Sequence, residues 1–578
     1  MSSPSIDKAS ENQSIDWKWL ALPAFLYILL IALTEPPFIG DTPFYAGQLA
    51  AAPGLSSPVL WEFGHILWRP IGFILSPLFQ AAIPDHIAWT HELKISYGLI
   101  CLTVLSGLIS TVLIYDLSRR ILRHPLWAML PVFVLVCGDA FLSYSHSGMP
   151  YIPAVAALTG GLWLQLVPKA DQRGGQVTLL WSSACLFGIA CLLWFPFVFV
   201  LPAAVCARKF VPLRNGGRWE WTQAFAVLVI AGGVVTAGVV TAAFMAGVHS
   251  ISGFRLWMSA ASHEWHQNRQ WLRAVSGCPR LLIDLARDGI NLKRFTFKDP
   301  YNPVSAAVIV RLMLWKIGLF YAFLAAVAVL AWTSARTRPV LILAAFAGLP
   351  LLAFAVLLFE PSSPERFLPV LPFLLLAVAA AWAVAPTPGM KTKWLRGVIV
   401  VFVLALPVMN WPGFAGSFSP ESRQAHARLD DLRKSAQPDD VLVTINLQDP
   451  VIQLIDQSLF DSANRPAPFR NHWLITIAAE HAHLWRQQFA AFVLQNWREN
   501  RNVWVTKGAV ADRPDPDARW VEGDNPAVHW KDIATFFRSI QFDQQTARPD
   551  GFLRMRRSSE LEDRLARLSG EAAGQTGY

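Results

Sequence analysis

Cysteine is scarce in this chain: there are six in 578 residues, and Cys101, Cys137, Cys185, Cys191 and Cys206 all lie inside apolar runs, leaving Cys278 alone outside them. Neither a disulfide framework nor a thiolate metal site is expected from that distribution. Charge is short as well. Only 15% of residues are Asp, Glu, Lys or Arg, against about 25% in soluble domains. With 54% hydrophobic residues, the chain reads as an integral membrane protein. No cleavage site flanked by small residues follows the first apolar run, so that run is expected to stay as a span. The apolar runs contain almost no acids, and no internal repeat of the transporter kind is visible. The net charge of +9 does not call for nucleic acid, because the membrane-proximal basic residues mostly fall in short connections between apolar runs, where they set orientation.

What is present is a succession of apolar segments near the length of roughly 20 residues that a span needs. About eleven are expected, near 18–34, 95–115, 126–145, 150–167, 178–193, 196–207, 223–247, 313–333, 339–359, 368–385 and 397–414. Placing Lys8 and Lys18 in the cytoplasm makes every inside connection basic: Arg119, Arg120 and Arg123; Lys169 and Arg173; Arg208, Lys209, Arg214 and Arg218; Arg336 and Arg338; Lys391, Lys393 and Arg396. The loops 35–94 and 249–312 and the tail after Phe414 are then outside. The reading is a mainly α, polytopic membrane helix bundle over 1–415, with amphipathic helices in its outer loops, followed by a small α/β domain over 416–578.

In the first outer loop, ILWRPIGFILSPLF alternates apolar clusters with proline breaks. In the second, PRLLIDLARDG predicts a helix from Pro279 to a stop at Gly289. That loop holds Arg255, Arg269, Arg273, Arg280, Arg287, Lys293 and Arg294. Basic residues outside run against the orientation rule and suit pairing with phosphate. In the tail, DVLVTINL, NVWVTK and FLRMRR predict strands, RQAHARLDDLRKS and KDIATFFRSI predict helices, and SSELEDRLARL opens with a capping box from Ser559 to Glu562.

Three stretches could carry chemistry. The segment from Glu35 to Pro70 places Glu35, Asp41, Glu62, His65 and Arg69 at the membrane edge, where an unpaired charge is costly. Asp41 in GDTPFYAGQL suits a general base towards an acceptor hydroxyl; equally, Asp41 or Thr42 could simply cap a helix starting at Pro43. Asp139 in CGDAFLSYSHSGMPY could join it as a second acid, although a solvated loop acid is the blander reading. The late stretch FEPSSPERFLPVLPFLLL carries Glu360, Glu365 and Arg366 between two apolar helices. There Glu365 and Arg366 could pair structurally, or Arg366 could hold a lipid phosphate through a forked hydrogen bond. The pair of histidines in His263-Glu264-Trp265-His266 lacks the longer spacing of the zinc proteases, and Glu480, His481 and His483 read as a hydrated helix surface.

An acid just after the first span, an acid near the outer end of the third, the late ERFLPVLP segment and a soluble outer domain together resemble the GT-C superfamily of membrane glycosyltransferases. The GDTPFY loop is similar to that of the bacterial protein O-mannosyltransferase and aminoarabinose-transferase branch. The ERFL segment is similar to the late motif of the GPI-anchor and dolichol-pathway mannosyltransferases, with Ser363-Pro364 standing where that motif has His-Lys, and Asp41 is not followed by a second acid. The resemblance covers about residues 15–415 and leaves the subfamily and the sugar open. It implies inverting transfer of a monosaccharide from a polyprenyl-phosphate donor to a glycan, lipid or protein acceptor at the periplasmic face of a bacterial inner membrane.

On that footing Asp41 is the base and Asp139 the second acid. Arg69, Arg366, Arg269 and Arg273 are phosphate ligands, and His65, Glu62, Trp68, Tyr45 and Glu365 contact sugar or acceptor. For His65, contact with phosphate and packing among tryptophans are the alternatives. No cofactor is assigned, and a divalent cation, Mg or Mn, stays open. A lipid-linked glycan ligase or polymerase would use the same residues with a larger donor. A transporter would instead place its charges at the bilayer midplane.

Overall fold

The computed structural model describes residues 17–34, 40–83, 90–166, 173–211, 221–260, 271–358, 363–384, 390–414, 420–437, 439–444, 451, 472–474, 484–514, 529–547 and 551–573. The chain divides into two compact units. The first comprises residues 1–83, 94–284 and 316–414, and the second comprises 84–93, 285–315 and 415–578.

In the first unit the apolar runs become helices because a backbone inside hydrocarbon must satisfy its own hydrogen bonds. Among the described residues, six helices are long and apolar enough to cross a membrane: His91–Leu122, Trp221–Met245, Ala306–Thr333, Arg338–Leu357, Pro364–Ala383 and Thr392–Phe414. Lys18–Leu33, Tyr151–Leu166 and Val177–Leu193 are shorter apolar helices. The other two expected spans are interrupted. Residues 126–145 break at Cys137 and Gly138 into Met129–Val136 and Asp139–Ser145, and 196–207 opens as the 3-10 turn Phe195–Phe199 before Leu201–Phe210. The prolines Pro196 and Pro202 remove backbone donors there.

The helix Pro364–Ala383 is the most enclosed of the six: 72% of its apolar window is buried, against 17–39% in the others. The late charged motif is its first turn. Around it the packing is close. Tyr151–Leu166 lies so near Arg173–Leu193 that a Cβ on Gly161 would meet the Phe187 ring at 2.4 Å.

Two local expectations are corrected. The segment after Pro279 does not run as one helix to Gly289. Cys278–Leu281 is a 3-10 turn, the chain then breaks, and a new helix, Ala286–Thr296, has Gly289 inside it. In the first outer loop the prolines do not break the chain: Trp68–Ala82 is a single helix with Pro77 inside. It buries Trp68, Arg69, Gly72, Ser76 and Phe79 and exposes Ile74 and Leu78, the one-sided pattern of an interfacial helix.

The second unit contains a five-stranded sheet in the order β2-β1-β3-β5-β4, with β1 Val441–Thr444, β2 His472–Leu474, β3 Val503–Thr506, β4 Phe542–Gln545 and β5 Phe552–Met555. β2, β1 and β3 run parallel, while β5 is antiparallel to β3 and β4. Alternation decides the layers. Val441, Val443, Val503 and Val505 pack against Trp485–Arg498, Trp530–Arg538 and Ser559–Ala573, whereas Leu442, Trp504 and Phe552 pack against Pro420–Ser435. At the last helix Ser558, one residue earlier than expected, is the cap: its Oγ accepts from the Leu561 amide at 3.3 Å, and Glu562 pairs with Arg557 instead.

Candidate active site

The early loop, the break after the helix Arg173–Leu193 and the late motif meet in the first unit, and the backbone explains how. The Phe195 amide donates to the Gly64 carbonyl at 3.1 Å, and the Leu67 amide donates to the Leu192 carbonyl at 3.2 Å. Gly64 turns the chain at φ +98°, a conformation that a side chain strains. This pairing lays His65 on Trp194: the two rings stack at 4.7 Å with 5° between their planes. Tyr151 stands edge-on to Trp194 at 4.8 Å, and the Arg366 guanidinium lies 5.1 Å from the centre of the same indole. Trp194 therefore joins the loop that carries Glu62, His65 and Arg69 to the late motif.

Two guanidinium–carboxylate pairs flank this stack. Arg69, 5% exposed, donates through Nη1 to the Val59 carbonyl at 2.7 Å and through Nη2 to Glu62, and lies over the Tyr45 ring at 5.0 Å. Those bonds engage both terminal nitrogens, so Arg69 buckles its own loop. Glu365 accepts from the Tyr144 hydroxyl at 2.6 Å and has Arg366 at 3.6 Å, so the expected structural pairing is present and Trp194 gives Arg366 a second contact. Tyr45 and Trp68 are fully buried beneath the loop. Burial pushes the His65 pKa down, with the Glu62 carboxylate opposing. At 3.9 Å the Glu62 oxygen is too distant to hydrogen-bond Nδ1.

Asp41 is exposed at the start of the helix Thr42–Ala51 and makes no side-chain cap bond, so the capping geometry lacks its hydrogen bond. Its turn is pinned from both sides. Thr42 donates to the Ser147 carbonyl, and Gly40, at φ +60°, passes Met149 so closely that a Cβ would sit 3.1 Å from the sulfur. The carboxylate lies within electrostatic reach of Tyr45, His65 and Tyr151.

Asp139 belongs to a different cluster. Ser143 donates to it at 3.3 Å, and its electrostatic neighbours are Asp284 and Arg280. Asn410 organises this place: it donates to the Cys137 carbonyl at 2.7 Å and the Leu282 carbonyl at 2.6 Å, and accepts from the Asp284 amide at 2.8 Å. Thus Asp41, Glu62, His65, Arg69, Glu365 and Arg366 gather in one cluster, and Asp139 is one helix end away, on the helix whose Tyr144 reaches Glu365.

Among the described residues no group of three or more His, Cys, Asp or Glu converges to hold a metal ion. Arg269, the side chain of Arg273, residues 263–266, Glu35, Glu360, Glu480, His481 and His483 lie outside the described residues. Trp194, Tyr144, Tyr151 and Asn410 were not singled out from sequence. The signal for Trp194 was the WFPF break in an apolar run, whereas a tyrosine inside such a run carries none.

No protein-family model matches the chain, and no curated protein matches it. Among solved structures it is similar to ArnT from Cupriavidus metallidurans in the apo state, at 11% identity over 94% of this chain and 98% of that one, with a TM-score of 0.48. It is similar also to ArnT from the same organism bound to undecaprenyl phosphate, at 12% identity over 94% and 99% with a TM-score of 0.47. The third is the Archaeoglobus fulgidus oligosaccharyltransferase in the apo form, at 13% identity over 96% of this chain and 75% of that one, with a TM-score of 0.47.

Proposed function

We propose that the chain is an inverting glycosyltransferase that moves a monosaccharide from a polyprenyl-phosphate donor to an acceptor hydroxyl at the outer face of the membrane. The observation that carries this reading is the meeting of Glu62/Arg69 with Glu365/Arg366 across the Trp194–His65 stack. Two charge pairs about three hundred residues apart are brought to one place beside an exposed carboxylate, Asp41.

In the proposed step the acceptor oxygen attacks the anomeric carbon while the bond from that carbon to the phosphate oxygen breaks, and polyprenyl phosphate leaves with the electron pair. Asp41 takes the acceptor proton. Arg366, steadied by Glu365 and by the indole face, meets the charge growing on the phosphate through a forked contact. Arg69 acts from behind by fixing Glu62 and the loop. Asp139, with Ser143 donating to it and Arg280 offsetting the charge of Asp284 nearby, remains the second acid of this reading, at the start of the helix that carries Tyr144. Arg269 and Arg273 remain phosphate ligands in this reading, and a divalent cation, Mg or Mn, is tested by titration into the same assay.

The test is transfer by the purified protein from a panel of polyprenyl-phosphate sugars to lipid, glycan and protein acceptors. Loss of a general base costs about 10²–10⁴ in rate, so Asp41→Asn is expected to lower transfer by that factor while membrane insertion and thermal stability stay as in the wild type. Equal rates remove Asp41 from the mechanism. No turnover with any donor favours a lipid-linked glycan ligase or a transporter.

A further inference from the structure

Trp194 and His65 are buried at 5% and 9% exposure, yet Trp194 Nε1 and both ring nitrogens of His65 have no hydrogen-bond partner. Three orphaned nitrogens on two stacked rings depart from the rule that buried polar groups are paired. The three nitrogens themselves are closed to solvent, while Glu62, 3.9 Å from His65 Nδ1, keeps a quarter of its side chain exposed, so a ligand reaches them from the Glu62 side.

Resting on the reading above, we propose that Trp194 and His65 form the subsite that takes hydroxyls of the transferred sugar, and that the phosphate lies elsewhere, towards Arg366. The donor and acceptor inventory decides between the two oxygens. An indole N–H can only donate, and a neutral imidazole offers one N–H and one bare nitrogen. Burial favours the neutral ring. An ionised phosphate presents acceptors alone, so it leaves the bare nitrogen unmet and faces the Glu62 carboxylate, 3.9 Å from Nδ1. Hydroxyls accept from the N–H groups and donate to the bare nitrogen, without charge, and because the two ring nitrogens of an imidazole point apart, separate hydroxyls of the sugar meet them. The orphaned atoms lie on ring edges, so the ligand approaches the rim of the stack and leaves the stacked faces undisturbed.

The experiment measures binding, not turnover. Full-length protein in lipid nanodiscs is titrated with undecaprenyl phosphate and with a panel of undecaprenyl-phosphate sugars, for the wild type, Trp194→Phe and His65→Phe. Phenylalanine keeps an aromatic surface and removes the nitrogens. The wild type is expected to bind at least one sugar-bearing lipid more tightly than the bare phosphate lipid, and each variant to weaken that binding about tenfold; His65→Phe holds undecaprenyl phosphate within twofold, and Trp194→Phe, which also alters the ring under Arg366, weakens the bare lipid less than the sugar-bearing one. Retained binding of the bare lipid also reports an intact fold. Equal weakening of both lipids makes this a phosphate subsite and overturns the proposal. So does unchanged binding, which leaves only water at these nitrogens, and so does a wild type with no preference for the sugar. Sugar-dependent binding without transfer overturns the glycosyltransferase reading alone.

Discussion

Arg69 spends both of its terminal nitrogens inside its own loop, on Val59 and Glu62. Removing one member of a buried pair leaves the other uncompensated and costs about 3–5 kcal/mol; with Glu62 a quarter exposed, the lower end applies. Arg69→Ala is therefore expected to lower the midpoint of thermal unfolding clearly, and Glu62→Gln less so. If Arg69→Ala instead unfolds as the wild type does and loses only donor affinity, Arg69 is a ligand and not a buckle. His65 supplies a pH signature. Its folded pKa lies below the unfolded value of about 6.5, so below that pH the unfolded chain takes up a proton that the folded one refuses. Stability is then full above about pH 6.5 and declines as pH falls towards the folded pKa. The decline from pH 7 to 5 should be shallower in His65→Phe than in the wild type, and parallel curves would contradict a neutral buried ring. The charged members of the cluster were legible in the sequence because a charge at a membrane edge is conspicuous. Asp284 and Arg280, the neighbours of Asp139, were not, because the side-chain pairing depends on a chain break at residues 282–285 that the run PRLLIDLARDG hides behind good helix periodicity.

At the level of elements, the breaks matter more than the helices. Asn410, wholly buried on the helix Met390–Phe414, satisfies three backbone groups at two breaks, Cys137 and the turn at Leu282 and Asp284. Asn410→Leu orphans the Cys137 carbonyl and the Asp284 amide, at about 1 kcal/mol or more each, while the Leu282 carbonyl keeps the Asp139 amide at 3.1 Å, so a loss of roughly 2 kcal/mol is expected in chemical unfolding; a loss under a fifth of that would show the breaks to be held otherwise. Gly64→Ala meets no neighbouring atom, so its cost is backbone strain alone, about 1–3 kcal/mol. It should shift His65 and lower sugar-lipid affinity along with stability. Most apolar runs announced their helices by length and composition, and β1, β3 and β5 of the second unit were legible as short apolar strands, whereas β2, His472–Leu474, and β4, Phe542–Gln545, were not. The interruption at 194–200 showed as the gap between the runs 178–193 and 196–207, whereas the one at 137–138 did not, because a pause of two residues in a hydrophobic run leaves the composition unchanged.

At the scale of the whole molecule, the first unit is a bundle whose most enclosed helix, Pro364–Ala383, begins with Glu365 and Arg366, so the late motif is fixed by the best-packed element available. The early loop reaches it through two backbone hydrogen bonds and one tryptophan. The account stands on these two segments serving one lipid-linked ligand. The direct measurement is photo-crosslinking of the full-length protein in nanodiscs with a polyprenyl phosphate bearing a photoreactive group beside its phosphate, followed by mapping of the labelled peptides. Label on both the peptide containing Glu62 to Arg69 and the peptide containing Glu365 and Arg366, reduced in both by Arg366→Ala, is the predicted result. Label confined to one of them, or to the second unit, contradicts it.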